Sequence, residues 1–507
     1  MRKKILVTML AVIMLGITLM GCGSQSDVEG TDEVQEQEEM VSEDENADNN
    51  DKYEIAQQEK MASENYDKGR NYLYGLNGQG KDLEEAYNCF IKALELGKTE
   101  ANFYLGVLYD WESYPELNYE EAGKYYRAAG DNPYAYVALG INYTYGQGVE
   151  QNTDKGKEYF NNAIAMGCMD GYLGLAAIAQ DEEDYTTAMD DYNKVVEEGS
   201  EQLYIVSAMK SIGEMYRDGL GVEQNYDIAI EWYEKAADLN DTVAMYNIAW
   251  MYAQNNEVDS EKVIEWYEKM AEAGDSDGYN YIGAMYFYGD GVEQDYTKAM
   301  EWFGKASEKN NTTAMRNIAN LFRNGLGVDQ DCEKAIEWYE KATELNDASA
   351  MNELGYMYQY AEGVEQDYEK AFEYYERAGE LGNGSAINNI AYMYAHGCGV
   401  EQNYTKAIEW YEKAGELGDD TAMNNLATMY YYGEGTEQDY IKAKEWYEKA
   451  GELGNVDAMN NLAVMYCYGE GVEQDYSEAL EWAKKAAELG DETGKKNVEY
   501  IENAMKN

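Results

Sequence analysis

Residues able to do chemistry are plentiful in this chain but poorly assembled for it. Ninety-nine Asp and Glu stand against 39 Lys and Arg over 507 residues, a net charge of −60. Hydrolysis by paired carboxylates needs two acids converging on one bond, with surroundings that drive their proton affinities apart. Here the acids recur at positions that belong to the wet faces of helices. A nucleophilic triad needs a histidine beside a positioned serine or cysteine, and His396 is the single histidine. Cys89, Cys168, Cys332, Cys398 and Cys467 form no CxxC pair and share no repeat position. Neither a zinc set nor a disulfide framework is spelled out by that spacing. The reading is therefore no catalytic residue, no metal, no cofactor and no enzyme. The acidic balance repels phosphate backbones, which disfavours nucleic acid, and it attracts basic partners.

The cysteine with a readable chemistry is Cys22. Arg2, Lys3 and Lys4 precede an uncharged apolar run, Ile5 to Leu19, and then Leu19-Met20-Gly21-Cys22. A basic start and a short apolar run make a secretory signal, too short to be read as a spanning helix. The small residue before cysteine resembles a bacterial lipobox. That resemblance implies cleavage after Gly21 and acylation of Cys22 by lipid, palmitate included. Residues 1–21 are then a removed signal, and the mature chain carries −63. Residues 22–58 are rich in Asp, Glu, Gln, Ser and Asn and poor in large apolar side chains, which predicts an acidic, disordered, extended tether. The expected address is extracytoplasmic, lipid-anchored at a cell membrane or envelope.

A binding chemistry is easier to find than a catalytic one. Positions spaced i, i+3 and i+7 share one helix face. One such set recurs down the chain: Asn247, Trp250, Gln254; Tyr281, Ala284, Tyr288; Asn317, Asn320, Asn324; Glu353, Tyr356, Tyr360; Asn389, Tyr392, His396; Asn425, Thr428, Tyr432; Asn461, Val464, Tyr468. An asparagine ladder can hydrogen-bond an extended peptide backbone, and tyrosines add stacking area. The same residues would also be ordinary at the margin of a core, satisfying neighbouring helices.

The elements that must position this stripe follow from a repeat. Trp266, Trp302, Trp338, Tyr374, Trp410, Trp446 and Trp482 are spaced 36 residues apart, and Trp232 precedes them by 34. A fixed period of that size is one supersecondary unit stacked on itself. Within residues 419–454, Asp419 and Asp420 offer caps to a first helix whose apolar face is Ala422, Leu426, Met429 and Tyr430. Gly433-Glu434-Gly435 ends it. Asp439 caps a second helix with a predicted buried stripe of Ala443, Trp446, Tyr447, Ala450 and Leu453, and Gly454 stops it. Acid-before-base pairs at i, i+4, such as Glu265–Lys269 and Glu445–Lys449, line its wet side. Only Pro115 and Pro133 interrupt a chain suited to helices.

Ala422, Leu426, Tyr430, Gly433, Gly435, Tyr440, Lys442, Ala443, Trp446, Tyr447, Lys449, Ala450 and Gly454 together resemble the Sel-one-like repeat, a tetratricopeptide-type α-solenoid. Its loop signature reads Gly291-Val292-Glu293-Gln294-Asp295-Tyr296 and returns at Gly148, Gly221, Gly363, Gly399, Gly435 and Gly471. The expected fold is all-α: a right-handed α-solenoid superhelix of about twelve helix–turn–helix repeats with a period near 36 residues. Residues 59–199 hold divergent repeats, 200–490 regular ones and 491–507 a polar capping helix. The resemblance implies that first helices line a concave groove. It also implies a non-enzymatic scaffold that binds a protein or peptide, with Asn247, Trp250, Tyr281, Tyr288, Asn317, Asn320, Tyr356, Tyr360, Asn389, Tyr392, Asn425, Tyr432, Asn461 and Tyr468 as candidate contacts. An envelope enzyme or accessory factor acting on cell-wall material, or a surface adhesin, is the alternative.

Overall fold

A computed structural model describes residues 43–76, 80–110, 117–199, 202–254 and 259–506, with side chains from Ile55 onward. The expected signal 1–21, the acylation site Cys22 and the tether up to residue 42 lie outside the described residues. Among the described residues there are twenty-five helices and no strand, and no helix is long and apolar enough to cross a membrane.

The chain divides into two compact units, the first ending at Glu257 and the second opening at Val258. The first holds α1 Glu43–Tyr74, α2 Leu83–Glu95, α3 Ala101–Tyr109, α4 Tyr119–Ala128, α5 Pro133–Tyr145, α6 Thr153–Ala165, α7 Asp170–Asp181, α8 Tyr185–Glu198, α9 Gln202–Asp218, α10 Tyr226–Ala237 and α11 Thr242–Gln254. The second holds α12 Ser260–Glu272, α13 Asp277–Tyr288, α14 Tyr296–Ser307, α15 Thr312–Asn324, α16 Cys332–Glu344, α17 Ala348–Tyr360, α18 Tyr368–Glu380, α19 Gly384–His396, α20 Tyr404–Glu416, α21 Asp420–Tyr432, α22 Tyr440–Glu452, α23 Val456–Tyr468, α24 Tyr476–Glu488 and α25 Glu492–Ala504. First and second helices alternate twelve times, and α25 follows as the closing helix. The opening helix α1 begins inside the stretch 22–58 expected to be tether. Its leading residues are mostly Asp, Glu, Asn and Ala, so lack of apolar side chains does not prevent it from extending the helix that packs from Ala62 onward.

The local chemistry of one repeat follows its sequence. The Asp419 carboxylate accepts from the Ala422 amide at 2.8 Å and opens α21. Gly433 closes α21 in the left-handed conformation, at φ 72°. Gln438 of the loop donates to the Tyr431 carbonyl at 2.8 Å and to the Tyr440 hydroxyl at 3.0 Å. The same glutamine role recurs at Gln294, Gln402 and Gln474. The loop signature thereby satisfies a carbonyl that the helix end leaves without a partner. Asp439 then accepts from the Ile441 and Lys442 amides and opens α22.

The buried stripe of α22 differs from the expectation at two positions. Tyr447, not the tryptophan, is the fully buried aromatic, and Trp446 is half-buried. Leu453 is 58% exposed. Gly415 and Gly451 explain both, because each lies under the tryptophan of the following repeat: a Cβ on Gly451 would sit 2.9 Å from the Trp482 ring. The tryptophan is thus an inter-repeat contact laid on a glycine, and the leucine beyond it lies past the last packed turn. The lysines also choose differently from the i, i+4 expectation. Glu265–Lys269 closes at 2.8 Å, but the partner that recurs is the ring, with Lys305 Nζ 3.4 Å from the Trp302 centroid and Lys449 3.9 Å from that of Trp446.

Among the divergent repeats, α7 and α8 keep the helix pairing without the consensus loop. Glu183, at φ 62°, turns α7 into α8 where other repeats use glycine. Asp110 at the end of α3 is buried and accepts from the Tyr126 hydroxyl at 3.0 Å, and its second oxygen has no partner. Burial pushes its carboxyl up to about 7, against a Tyr126 hydrogen bond that lowers it.

Two outcomes follow. The loop glycine Gly435, at φ 75°, lies against the start of α20, where an added Cβ would fall 2.3 Å from Tyr404 Cβ. Gly433 has no such backbone neighbour in α20, and the equivalent position naturally holds Ala361 at φ 60°. Gly433→Ala should cost about 1 kcal/mol and Gly435→Ala about 1–3 kcal/mol more, read from denaturant midpoints. Asp110 binds its proton more tightly folded than unfolded, so its contribution to stability falls as pH rises from about 4 through about 7. Asp110→Asn should leave stability below about pH 4 nearly unchanged and raise it increasingly from there to about pH 7, by an amount on the order of 4 kcal/mol at most, read from denaturant midpoints across pH.

Candidate functional site: the face of the first helices

The stripe read from the sequence separates into three layers. In the second unit its first-position asparagines form an inter-helix ladder. Asn317 Nδ2 donates to Asn280 Oδ1 at 3.0 Å, Asn389 to Asn352 at 3.0 Å, Asn425 to Asn388 at 3.2 Å and Asn461 to Asn424 at 3.2 Å. Asn497 of α25 continues it onto Asn460 at 2.9 Å, and Asn460 also donates to the Asp491 cap at 2.8 Å. These amides clamp each first helix to the one before. The acceptor asparagines escaped the reading of the stripe. Their signal was the Asn-Asn pair that recurs at 388–389, 424–425 and 460–461.

The middle layer meets hydroxyls rising from the second helices. Tyr339 donates to Asn320 Oδ1 at 2.7 Å, and the Tyr447 and Thr428 hydroxyls share a hydrogen bond of 2.9 Å. Burial raises the proton affinity of both tyrosines, pushing Tyr447 up to about 12. They stay neutral and can donate at any ordinary pH. Trp250, in the first unit, is half-exposed with the Arg217 guanidinium 5.9 Å from its ring.

The outer layer is open. Tyr288, Tyr360, Tyr432 and Tyr468 are 68, 48, 66 and 58% exposed at the carboxyl ends of their helices. Tyr356 and Tyr360 lie with centroids 4.5 Å apart. His396 occupies the same rim position, stacks on Tyr392 at 3.9 Å and makes a ring-nitrogen hydrogen bond to the Tyr392 carbonyl at 3.0 Å. It is a helix-end side chain rather than a triad member. Tyr281 packs against Tyr267, centroids 5.1 Å apart.

Arg323 stands on this face of the second unit, held on three sides. Arg323 donates through Nε to Glu362 at 2.7 Å and through Nη1 to Glu353 at 2.9 Å, and its guanidinium lies 5.3 Å from the Tyr356 ring centre. Carboxylate on two sides and an aromatic ring on a third make a complete guanidinium receptor. No group of three or more His, Cys, Asp or Glu able to hold a metal occurs among the described residues. The five described cysteines are free thiols. Burial pushes the Cys89, Cys168 and Cys467 thiols up, which makes them poor nucleophiles.

The Sel1 repeat model matches eleven segments, residues 65–98, 99–132, 133–168, 206–241, 242–275, 276–311, 312–347, 348–383, 384–419, 420–455 and 456–491. The helix pair α7–α8 falls between two of them. Among solved structures, a protective antigen of uropathogenic Escherichia coli displaying an SLR fold is 28% identical, with 89% of this chain and 90% of that one covered and a TM-score of 0.44. A Sel1 repeat protein from Oxalobacter formigenes is 32% identical over 49% of this chain and 98% of its own, also at 0.44. The yeast Tom70 structure is 18% identical over 88% of this chain and 96% of its own, at 0.38. No curated protein matches the chain. With eleven tandem matches spanning most of its length and helices alternating in phase with them, the chain belongs to the Sel1 repeat family of all-α solenoids.

Proposed function

We propose that this protein is a lipid-anchored, extracytoplasmic scaffold that binds a protein or peptide along the face of its first helices, without catalysis of its own. The observation that carries the reading is the division of labour on that face. Asparagines and second-helix hydroxyls hold the repeats in register, which leaves Tyr288, Tyr360, Tyr432 and Tyr468 held on a rigid base with their rings in water. Exposed tyrosines at fixed spacing give large contact area at low entropic cost, the pattern that partner recognition favours. The net charge of −60 favours a basic partner. The Leu19-Met20-Gly21-Cys22 motif supports the anchor.

The anchor and the scaffold are tested separately. Cys22→Ala should abolish incorporation of a clickable fatty acid and move the protein out of the membrane fraction; persistence of labelling refutes acylation at that residue. Mild crosslinking at the native cell surface, followed by capture of the full chain, should recover a protein partner, with yield lowered several-fold in a Tyr360→Ala/Tyr432→Ala/Tyr468→Ala variant that melts like the wild type. Recovery of no protein from the wild type would overturn the scaffold reading.

A further inference from the structure

A second exposed row runs along the second unit, at the carboxyl ends of the second helices. Leu345, Leu381, Leu417, Leu453 and Leu489 cap α16, α18, α20, α22 and α24, and each is between 43 and 61% exposed. The same slot holds Ala273 and Lys309 in the two repeats before, so the apolar row begins at Leu345. A single leucine in water needs no explanation, but five in register make an apolar surface. The turns beside them stand clear: a Cβ on Gly382, Gly418, Gly454 or Gly490 would meet nothing within 4 Å. Each turn is also laid on the one before. Ser385 donates to Asp419 at 3.0 Å, and a Cβ on Gly384 would fall 3.3 Å from Asp419 Cβ. Successive second helices touch through Trp446 on Gly415 and Trp482 on Gly451, so their ends stand roughly 10 Å apart. Each leucine follows an exposed glutamate, at Glu344, Glu380, Glu416, Glu452 and Glu488. None of these five acids is in an ion pair among the described residues.

We propose that the row from Leu345 to Leu489 docks an amphipathic helix of a partner protein, with an apolar residue at every seventh position and Lys or Arg at its flanks. Apolar area beside open negative charge selects this occupant. A second copy would bring glutamate against glutamate, and an anionic lipid surface would be repelled. Seven residues of α-helix rise about 10.5 Å, which matches the step from one leucine to the next. Each apolar side chain of the partner then meets the row once per repeat, and the flanking cations reach the glutamates while their stems lie on the leucines. The row is distinct from the tyrosine rim, and the assignment does not depend on what the rim binds.

The test uses the full chain and a fluorescent helical peptide of about four heptads, with leucine on one face and lysine at its flanks. A scrambled peptide of the same composition and a version with glutamate for lysine stand beside it, and binding is followed by anisotropy at physiological salt. The patterned Leu/Lys peptide should bind, the scrambled one at least tenfold more weakly and the Leu/Glu one not at all. Leu417→Gln/Leu453→Gln leaves the charge intact and should weaken binding at least tenfold. Glu416→Gln/Glu452→Gln should weaken it several-fold. Glu409→Gln/Glu445→Gln, exposed acids elsewhere on α20 and α22, should leave it unaltered. Melting temperatures check folding, and Leu453→Gln alone carries the test if the leucine pair lowers them. Absence of binding by the Leu/Lys peptide, or binding that ignores the leucine variant, overturns the site. Equal losses in the two glutamate pairs reduce the effect to long-range attraction and also overturn it. Self-association of the wild type, or its flotation with phosphatidylcholine vesicles, that the leucine variant loses would give the row to a second copy or a lipid surface instead. Tyr360→Ala/Tyr432→Ala/Tyr468→Ala should leave peptide binding unchanged; a loss there moves the peptide to the rim and the assignment falls.

Discussion

An aromatic ring laid on a residue too small to resist it is the contact on which the repeat depends. Tyr375 lies against Gly355, where an added Cβ would be 2.6 Å from the ring, and Phe303 lies against Gly283 at 2.5 Å. These rings join a second helix to its own first helix. Trp446 over Gly415 and Trp482 over Gly451 join successive second helices. In an array whose repeats touch only their neighbours, stability is a sum of such interfaces. The ring supplies apolar area, and the glycine or alanine supplies the closeness that turns area into packing. Caps, loop glutamines and the asparagine ladder then fix the direction in which the next repeat is added.

That arrangement also explains how a chain of such acidity folds. The core of the regular repeats is made of Ala, Met, Leu and Tyr and needs no buried charge. The lysines that might have formed a ladder with acids fold back onto tryptophan faces, where they cover the half-buried ring and keep the ammonium in water. Surface ion pairs of this exposure contribute little in any case. The carboxylates are therefore left to shape the field around the molecule rather than its stability. The buried Asp110, Asp170 and Asp191 of the first unit are the exceptions, and all three lie in the region where the repeat departs most from its consensus.

The first-helix face combines two properties that usually conflict. Binding surfaces need exposed groups, and exposed groups on helices are mobile. Here the side chains below the surface are engaged with neighbouring helices, so Tyr432 and Tyr468 project from a base that the Asn388–Asn425 and Asn424–Asn461 bonds hold. Arg323 is likewise fixed on that face, gripped between Glu353, Glu362 and Tyr356.

The sequence by itself determined the period, the helix pairs, their caps and the residues that share a face, because these follow from local rules: 3.6-residue periodicity, side-chain caps and glycine at left-handed helix ends. The stripe was legible for the same reason. What each member of it does was decided only by the tertiary structure. Asn425 and Tyr432 read alike as candidate contacts, yet one is tied to Asn388 and the other stands in water. Trp446 and Leu453 read alike as core, yet one covers the glycine of the preceding repeat and the other lies beyond the last packed turn. The difference is physical: spacing along one helix fixes which way a side chain faces, but the distance to the next repeat fixes what it meets there.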